Sequence, residues 1–537
     1  MSKENHNPAK SIIWIPFWLM IAVLFALTYT QSPLYEGNQN TKFLHGLADA
    51  GLGYLDQDWL ANTADPLPVF TYLVAQTARV SERLFYAYYA LLFGVYVFSL
   101  FGISVQLYKI DKSVVKSTLF LLGTFALHSR YLIRFTQRAF GFDFEFLHSG
   151  VAGQYLLGLE FQNSVFGVFL LFSIYLFMKR HYIWSILAMA VATTLHSAYL
   201  FSAALLTISY SLIIFWENLH KTPGTPNSTL KKLLQAAIQP ILLGLLMLVL
   251  VLPVLWYNQT ALAAASPETW RLALDILVNE RIPHHSLPAV WLGPTAYIQV
   301  VLIIIGLILV KNSRLLTIML TLFTGALLFT IIQIQSNDYS LAALAPWRVT
   351  VLLVPLSVHL ILAAAISWMV DRLRIQDSAR LTPWIALAAV LGIIILAMGG
   401  VRIQRNYGTG SRMRQANAMM DFVKSTVDPG DLYLIPPLEN DLNDFRLYTG
   451  VPIVINWKSH PYKDIELLEW NERVQSAQRY YVLHQQADAM ACELLYELAQ
   501  EYRITHVVFK SRDIQPFCDF MAEVYSQKSY SIYSLTL

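Results

Sequence analysis

The chain has 537 residues, of which 56% are hydrophobic and 14% are charged, and its net charge is +3. Soluble domains carry about a quarter charged residues, so this composition excludes an ordinary soluble protein and indicates a polytopic membrane protein. The small net charge, without any basic run, excludes a nucleic-acid partner. The two cysteines, Cys492 and Cys518, form no CxxC or Cys/His metal pattern.

Apolar runs predict about eleven membrane-spanning helices, because a helix needs roughly 20 mostly apolar residues to cross a bilayer. One long apolar run, residues 182–216, is interrupted at His196 and is divided there into two spans. In chain order the predicted spans lie near residues 11–30, 84–107, 117–133, 164–178, 182–195, 197–216, 236–256, 295–310, 315–334, 349–370 and 383–401.

The spans predict a transmembrane domain, residues 1–401, with long outer loops at 31–80 and 257–294. Lysines and arginines in the short segments fall on one side of the membrane under this span count. By the positive-inside rule, that side is cytoplasmic and contains the N-terminus. We therefore expect a multi-pass protein of the inner (plasma) membrane. The residues that set this orientation are Lys3, Lys10, Lys109, Lys112, Lys116, Lys179, Arg180, Lys221, Lys231, Lys232, Lys311, Arg314, Arg372, Arg374 and Arg380.

The remainder, residues 402–537, is polar enough to form an extracytoplasmic domain. Strand-like runs at 431–437, 452–457, 504–510 and 530–537 alternate with helix-like runs near 413–427, 464–486 and 488–501. This alternation predicts a small α/β fold. Its location permits a disulfide between the two cysteines, although the sequence does not show whether their geometry fits.

Under this topology, many charged and histidine side chains belong to the outer segments. The first outer loop contains Asp56, Asp58 and Asp65 in the stretch GYLDQDWLANTADPLP, and FGFDFEF alternates so that Asp143 and Glu145 project together. A single loop charge is usually only solvated, and His284 with its neighbour His285 fits a plain surface turn. A convergent set would instead form an active site or a polar substrate path. The candidate substrate-binding residues are Asp143, Glu145, His148, His196, Arg281, His284 and Arg348.

Such a face suits transfer of a group from a lipid-linked phosphate donor. An anionic phosphate needs arginines or a divalent cation, and hard cations prefer carboxylate oxygens. A carboxylate can also serve as the general base that accepts the proton of an acceptor hydroxyl. The sequence has no Walker A loop, GxSxG, HExxH or Rossmann fingerprint to support an ATPase, hydrolase or dehydrogenase.

The layout resembles the GT-C class of membrane glycosyltransferases in its many spans, its DQDW sequence at 56–59, its ADPLP sequence at 64–68 and its outer arginines and histidines. The resemblance implies a polyprenyl-phosphate sugar donor, a glycan or lipid acceptor, and a phosphate held by arginines such as Arg348. It also implies that Asp56 or Asp58 acts as catalytic base or as ligand of a divalent cation, Mg²⁺ or Mn²⁺. The absence of a WWDYG-type sequence argues against an oligosaccharyltransferase.

The chain is also similar to bacterial polytopic proteins of unassigned function that have a DW-containing first loop and a Trp/Arg-containing tail, here residues 457–474. Three alternatives remain beside a glycosyltransferase. A transporter or flippase of lipid-linked glycan would gather polar groups among its helices, although no internal repeat supports it. A polysaccharide polymerase or ligase would depend on Arg281 and Arg348 more than on Asp58. The last alternative is a non-catalytic membrane protein.

Overall fold

A computed structural model describes residues 8–221, 229–336, 338–375, 378–407, 416–511, 513 and 518–537. Lys3, most of the polar linker that follows Lys221, and residues 413–415 of a predicted helix lie outside the described residues.

Long apolar helices build the first part of the molecule as a bundle. Six of the described helices are long and apolar enough to cross a membrane, against about eleven predicted spans. Five shorter apolar helices lie at the positions of the remaining predicted spans. The bundle helices are Pro8–Tyr29, Leu84–Tyr108, Val114–His128, Val168–Met178, Tyr182–Leu195, Leu200–Lys221, Thr229–Ala261, Pro294–Leu309, Ser313–Ser336, Thr350–Arg372 and Ser378–Tyr407.

The predicted break at His196 is confirmed. His196 has an extended backbone, with φ at −151°, so it ends the helix Tyr182–Leu195. A short 3-10 turn, Ser197–Tyr199, then begins the next helix. The two apolar halves therefore form separate helices joined at a polar residue.

Close approach between helices stabilises the bundle. Lipid tails are as apolar as leucine, so helices in a membrane associate through van der Waals packing rather than through a hydrophobic force. A Cβ on Gly94 would lie 2.8 Å from the Ala22 Cβ, and one on Gly102 would lie 2.4 Å from the Tyr175 ring. Both glycines belong to Leu84–Tyr108, which packs against the first helix and against Val168–Met178.

The two long loops are folded rather than extended. Both consist of short helices joined by turns, and buried apolar side chains such as Phe43, Leu47 and Leu55 hold the first loop in the core of the bundle. The elements of the first loop are Gln39–Lys42, Leu44–Asp49, Leu55–Gln57, Leu60–Asn62 and Pro68–Val80. Those of the second are Pro267–Asp275, Ile276–Arg281, Pro283–Ser286 and Pro288–Trp291.

The C-terminal region is a small α/β unit built on a four-stranded sheet. The strands are Tyr433–Leu434, His506–Lys510, Met521–Ser526 and Tyr530–Leu535, and their spatial order is first, second, fourth, third. The first pair is parallel and the other two are antiparallel. The predicted strand at 452–457 is reduced to one bridge between Ile453 and Tyr433. The helices are Asn417–Thr426, Phe445–Thr449, Asp464–Gln485 and Met490–Tyr502.

A disulfide joins Cys492 to Cys518, with a Cα–Cα distance of 5.4 Å. The bond ties the helix Met490–Tyr502 to the segment that precedes the strand Met521–Ser526. The pairing that the sequence permits is therefore present.

Candidate functional site

Both long loops dock onto the C-terminal domain and form a junction with it. The Tyr54 N–H donates to the Gly450 carbonyl at 2.8 Å, and the Arg473 guanidinium lies over the Trp59 ring, 4.3 Å from its centroid. In the second loop, the Ala265 N–H donates to Asp464 Oδ2 at 2.8 Å. The first loop therefore joins the bundle to the domain.

Asp58 is a buried anchor of this junction. Its side chain is fully buried, and its Oδ2 lies 3.0 Å from the Arg446 Nε and accepts the Ile453 N–H at 3.1 Å. Its Oδ1 accepts the Leu60 N–H at 2.9 Å. Because both oxygens are committed within the protein, Asp58 anchors the first loop to the C-terminal domain, and its catalytic role stays a prediction.

Asp56 and Asp58 do not form a site that fits a divalent cation. Asp56 is exposed on a 3-10 turn, whereas the Asp58 carboxylate is neutralised by Arg446. Nor, within the described part of the chain, is any group of three or more histidine, cysteine, aspartate or glutamate side chains arranged to hold a metal ion. Asp56 and Asp58 therefore form no shared donor set in this structure, and a divalent cation, Mg²⁺ or Mn²⁺, stays a prediction.

Four cationic side chains meet at the junction instead, and we call Lys42, Arg281, Arg348 and Lys458 the junction cluster. Arg281 Nη2 donates to the Lys458 carbonyl at 2.7 Å, and the Lys42 ammonium lies 4.4 Å from the centroid of the Tyr462 ring. Burial lowers the pKa of Arg281, and the nearby Tyr462 hydroxyl opposes that shift. Tyr462 is also close enough to Arg348 for an electrostatic interaction. The cluster therefore combines residues from both long loops, the bundle and the C-terminal domain.

Histidines line the bundle side of the junction cluster. Arg348 Nη1 lies 3.4 Å from His196 Nε2, and Asn163 Nδ2 lies 2.6 Å from His196 Nδ1. The rings of His284 and His285 are 4.0 Å apart, and His285 Nδ1 lies 2.6 Å from the Ala152 carbonyl. The extended backbone at His196 and the turns before Arg348 and in the second loop bring these groups together.

The surroundings of the cluster disfavour additional positive charge. Burial and the charges of Arg281, Lys42 and Lys458 lower the pKa of His460 to about 3. Burial and neighbouring cations also lower the pKa of His285 to about 4, and burial lowers that of Lys458. A partly desolvated group of four cations with no ion pair to an acidic side chain among the described residues is an arrangement that binds an anionic ligand.

Glu160 is an acidic side chain whose charge acts on Lys458. It is 6% exposed, and its Oε1 accepts the Asn38 N–H at 2.9 Å. Asn38 Oδ1 in turn accepts a hydrogen bond of 3.0 Å from the Lys458 Nζ. Burial raises the pKa of Glu160, and the Lys458 charge opposes that rise.

An apolar groove of about 290 Å³ begins beside His196. Thr194 and Ser197, which flank His196 in sequence, line it together with Leu67, Leu250 and Val254. The wall formed by Thr229–Ala261 faces outward over much of its length, since Leu245, Leu248 and Leu252 are exposed. The groove therefore lies between the outward-facing helix Thr229–Ala261 and the two residues that flank His196.

Three predicted site residues lie away from the junction cluster. Asp143 is exposed and its Oδ1 accepts the Glu145 N–H at 2.8 Å, so it acts as a local turn cap. Glu145 forms an ion pair with Arg130, with an N–O distance of 2.7 Å. His148 is buried with its ring 4.4 Å from that of His128. Asp143 and Glu145 therefore do not project together, because a 3-10 turn at Glu145–Leu147 replaces the expected extended segment.

Two predicted residues, Arg281 and Arg348, belong to the junction cluster, and two more, His196 and His284, lie beside it. Lys42, Lys458, Tyr462 and Glu160 were not among the predicted site residues, and His460 was interpreted as packing. A basic and aromatic sequence, WKSHPYK at residues 457–463, is the signal that could have identified three of them.

Comparison with known protein families gives one match: a model described as "Domain of unknown function (DUF6798)" matches residues 414–477. That segment contains Arg446, Lys458, His460 and Tyr462, so it supplies the domain side of the junction. No curated protein matches the sequence.

Proposed function

We propose that this protein is an integral membrane glycosyltransferase of the GT-C type that uses a polyprenyl-phosphate sugar as donor. The single observation that carries the proposal is the junction cluster, in which Arg281 and Lys42 lie near Lys458 and both Arg281 and Arg348 lie near Tyr462. Guanidinium groups bind phosphate oxygens through paired hydrogen bonds, so two arginines and two lysines suit a phosphate leaving group.

The neighbouring groove supports a lipid-linked donor rather than a soluble one. A polyprenyl chain is entirely apolar, and the groove walls at Leu67, Leu250 and Val254 are apolar as well. Thr194 and Ser197, on either side of His196 in sequence, line the groove, and His196 Nε2 lies 3.4 Å from Arg348 Nη1. A ligand with its chain in the groove would therefore present its phosphate to the cluster.

Glu160 is the proposed general base. In the transfer, an acceptor hydroxyl attacks the anomeric carbon of the donor, the bond from that carbon to the phosphate oxygen breaks, and polyprenyl phosphate leaves. The base takes the proton of the hydroxyl, a role that the resemblance assigns to an acidic residue of the first outer loop and that we place at Glu160, outside that loop. A buried carboxyl with a raised pKa suits this role at neutral pH.

The proposal includes a bundle of about eleven spans with a cytoplasmic N-terminus, the long loops and the C-terminal domain being extracytoplasmic in an inner (plasma) membrane. The Cys492–Cys518 disulfide supports that side for the domain, because disulfides persist in oxidising compartments. The acceptor is a glycan or a lipid carrying a free hydroxyl.

Sugar transfer from a panel of radiolabelled polyprenyl-phosphate hexoses and pentoses to membrane acceptors tests the proposal. Arg348→Gln and Arg281→Gln should each reduce transfer at least 10-fold, because each removes a charged hydrogen bond to the phosphate. Glu160→Gln should reduce it about 100-fold through loss of the base. Arg271→Gln and Glu280→Gln are matched controls, since both side chains are exposed in the same loop.

Unchanged transfer in the two arginine variants, or no transfer by the unaltered protein from any donor, contradicts the proposal. Polyprenyl-phosphate binding that depends on Arg348 but leads to no transfer favours a flippase of lipid-linked glycan instead.

A glycan polymerase or ligase is the second candidate, and one observation favours it. Arg281 and Arg348, on which that activity would depend, lie in the junction cluster, whereas Asp58 is committed to Arg446. The length of the product separates the two functions, because a transferase adds one sugar and a polymerase or ligase joins oligosaccharides.

A further inference from the structure

A second group of cations lies apart from the junction cluster, and we call Arg134, Arg138, Arg402 and Arg405 the arginine groove. These four side chains line a cavity of about 320 Å³ together with Tyr131 and Asn406. No acidic residue lines this cavity among the described residues. The groove opens into a wider space of about 760 Å³ bordered by the same four arginines.

Acidic side chains balance the charges of the arginine groove only in part within the described chain: Glu145 attracts Arg402, and Glu36 and Asp444 border the wider space. Arg402 is 6% exposed, its Nη1 donates to the Arg130 carbonyl at 3.3 Å, and its Nε has no hydrogen-bond partner. Arg134 and Arg130 are close enough to Arg402 to repel it. No ion pair between Arg134, Arg138 or Arg405 and another described residue is present. Such a group is stabilised by an external anion.

The surroundings place this groove beside lipid. Arg134 and Arg138 belong to the amphipathic helix Arg130–Phe140, which begins after the cap Ser129 and ends at Gly141. The aromatic side chains of this segment are exposed, Phe135 by 49% and Phe140 by 74%. Aromatic and arginine side chains on one short helix are typical of a membrane interface.

An apolar wall extends from the groove along the helix Ser378–Tyr407. This helix carries Arg402 and Arg405 near its C-terminal end, and its exposed side chains Val390, Ile393, Ile394 and Val401 form an apolar surface. A diacyl lipid lying along that surface would bring its headgroup to the arginines. A soluble anion has no acyl chains and would not contact this apolar surface.

We propose that the arginine groove binds the phosphate of an anionic bilayer phospholipid, whose acyl chains lie along Ser378–Tyr407. This site is separate from the polyprenyl-phosphate site and does not depend on the proposed function. Because no acidic side chain lines the smaller cavity, a headgroup with net negative charge is preferred over a zwitterionic one.

Native mass spectrometry of the full-length protein released from nanodiscs tests this site. The nanodiscs contain either phosphatidylcholine alone or phosphatidylcholine with one-fifth phosphatidylglycerol, which is roughly the anionic content needed to populate one site. The expected result is retention of phosphatidylglycerol by the unaltered protein and a loss of at least 10-fold in Arg134→Gln/Arg138→Gln. Both side chains are exposed, so the double variant is expected to fold, and Arg405→Gln provides a second exposed substitution.

The matched control is Arg271→Gln/Arg479→Gln, which removes the same charge from exposed positions elsewhere and should retain the lipid. Equal phosphatidylglycerol retention in the unaltered protein and in both groove variants overturns the proposal. Retention of phosphatidylcholine equal to that of phosphatidylglycerol by the unaltered protein also overturns it. Displacement of the lipid by millimolar inorganic phosphate would identify a soluble anion as the ligand and would also overturn it.

Discussion

At the scale of single residues, two aspartates of one short sequence have opposite surroundings. Asp56 is exposed to solvent, whereas Asp58 is fully buried against Arg446. Removing one partner of a buried ion pair leaves an uncompensated charge, which is costly even where the intact pair adds little to stability. We therefore expect Asp58 to stabilise the docking of the C-terminal domain.

Asp58→Asn should lower the free energy of unfolding by about 3 kcal/mol, because the Arg446 charge remains buried without its partner. Asp56→Asn should change it by less than about 0.5 kcal/mol, as exposed substitutions do. Chemical denaturation of the purified protein, followed by tryptophan fluorescence, measures both. Equal stability of the two variants would contradict the structural role of Asp58.

Buried histidines make the junction sensitive to acid. The pKa of His460 in the folded protein is about 3 and that of His285 about 4, whereas an unfolded histidine has a pKa of about 6.5. At pH values between the folded and the unfolded pKa of each histidine, the unfolded chain binds a proton that the folded chain does not. The free energy of unfolding therefore decreases as the pH decreases through this range.

Thermal unfolding at pH 7.5 and at pH 5 should therefore show a lower midpoint in acid. His460→Gln should reduce the difference between the two midpoints, because it removes one of the groups that takes up a proton on unfolding. His181→Gln changes an exposed side chain and serves as the control. The same pH difference in His460→Gln as in the unaltered protein would show that His460 does not contribute.

At the scale of elements, the first long loop forms the surface on which the C-terminal domain docks. Gly53 adopts a left-handed backbone with φ at +55°, and a Cβ there would lie 2.3 Å from the Gly450 carbonyl oxygen. Gly51 is also left-handed, with φ at +81°, but a Cβ there would meet nothing within 4 Å. Substitution of Gly51 therefore measures backbone strain alone, whereas substitution of Gly53 also measures the docking contact.

Gly51→Ala should cost about 1 kcal/mol, which is the strain of a left-handed backbone alone. Gly53→Ala should cost more, because the new Cβ also pushes the loop away from Gly450. Chemical denaturation monitored by tryptophan fluorescence compares the two variants. A cost for Gly53→Ala no greater than that for Gly51→Ala would contradict close docking of the loop on the domain.

Local patterns in the sequence predicted most of the elements. The break at His196 and the strands His506–Lys510 and Tyr530–Leu535 follow from apolar runs and periodicity, which depend on neighbouring residues only. The role of Asp58 could not be predicted in this way. Its partner Ile453 is 395 positions away, and nothing local indicates that the two meet.

Local patterns likewise predicted only the part of the candidate site that does not depend on contacts distant in sequence. His196, Arg281 and Arg348 stand out because charged and polar groups beside membrane spans are conspicuous in a chain with few charges. Lys42 and Lys458 lie in polar segments where a lysine is ordinary. Only the docking of the C-terminal domain onto the loops brings them to the same cluster.

At the scale of the whole molecule, the bundle and the C-terminal domain share one cationic junction. The bundle supplies Arg348 and the apolar groove, the loops supply Lys42 and Arg281, and the domain supplies Lys458 and Tyr462. A lipid-linked phosphate is the ligand that matches both the cations and the groove. In this account the domain completes a site for which the bundle alone has too few cations.

A structure of the protein with polyprenyl phosphate bound tests this account most directly. We predict that the phosphate lies among Arg281, Arg348 and Lys458 and that the polyprenyl chain follows the groove past Leu67 and Val254. A phosphate bound beside Asp56, or a chain on another face of the bundle, would contradict it.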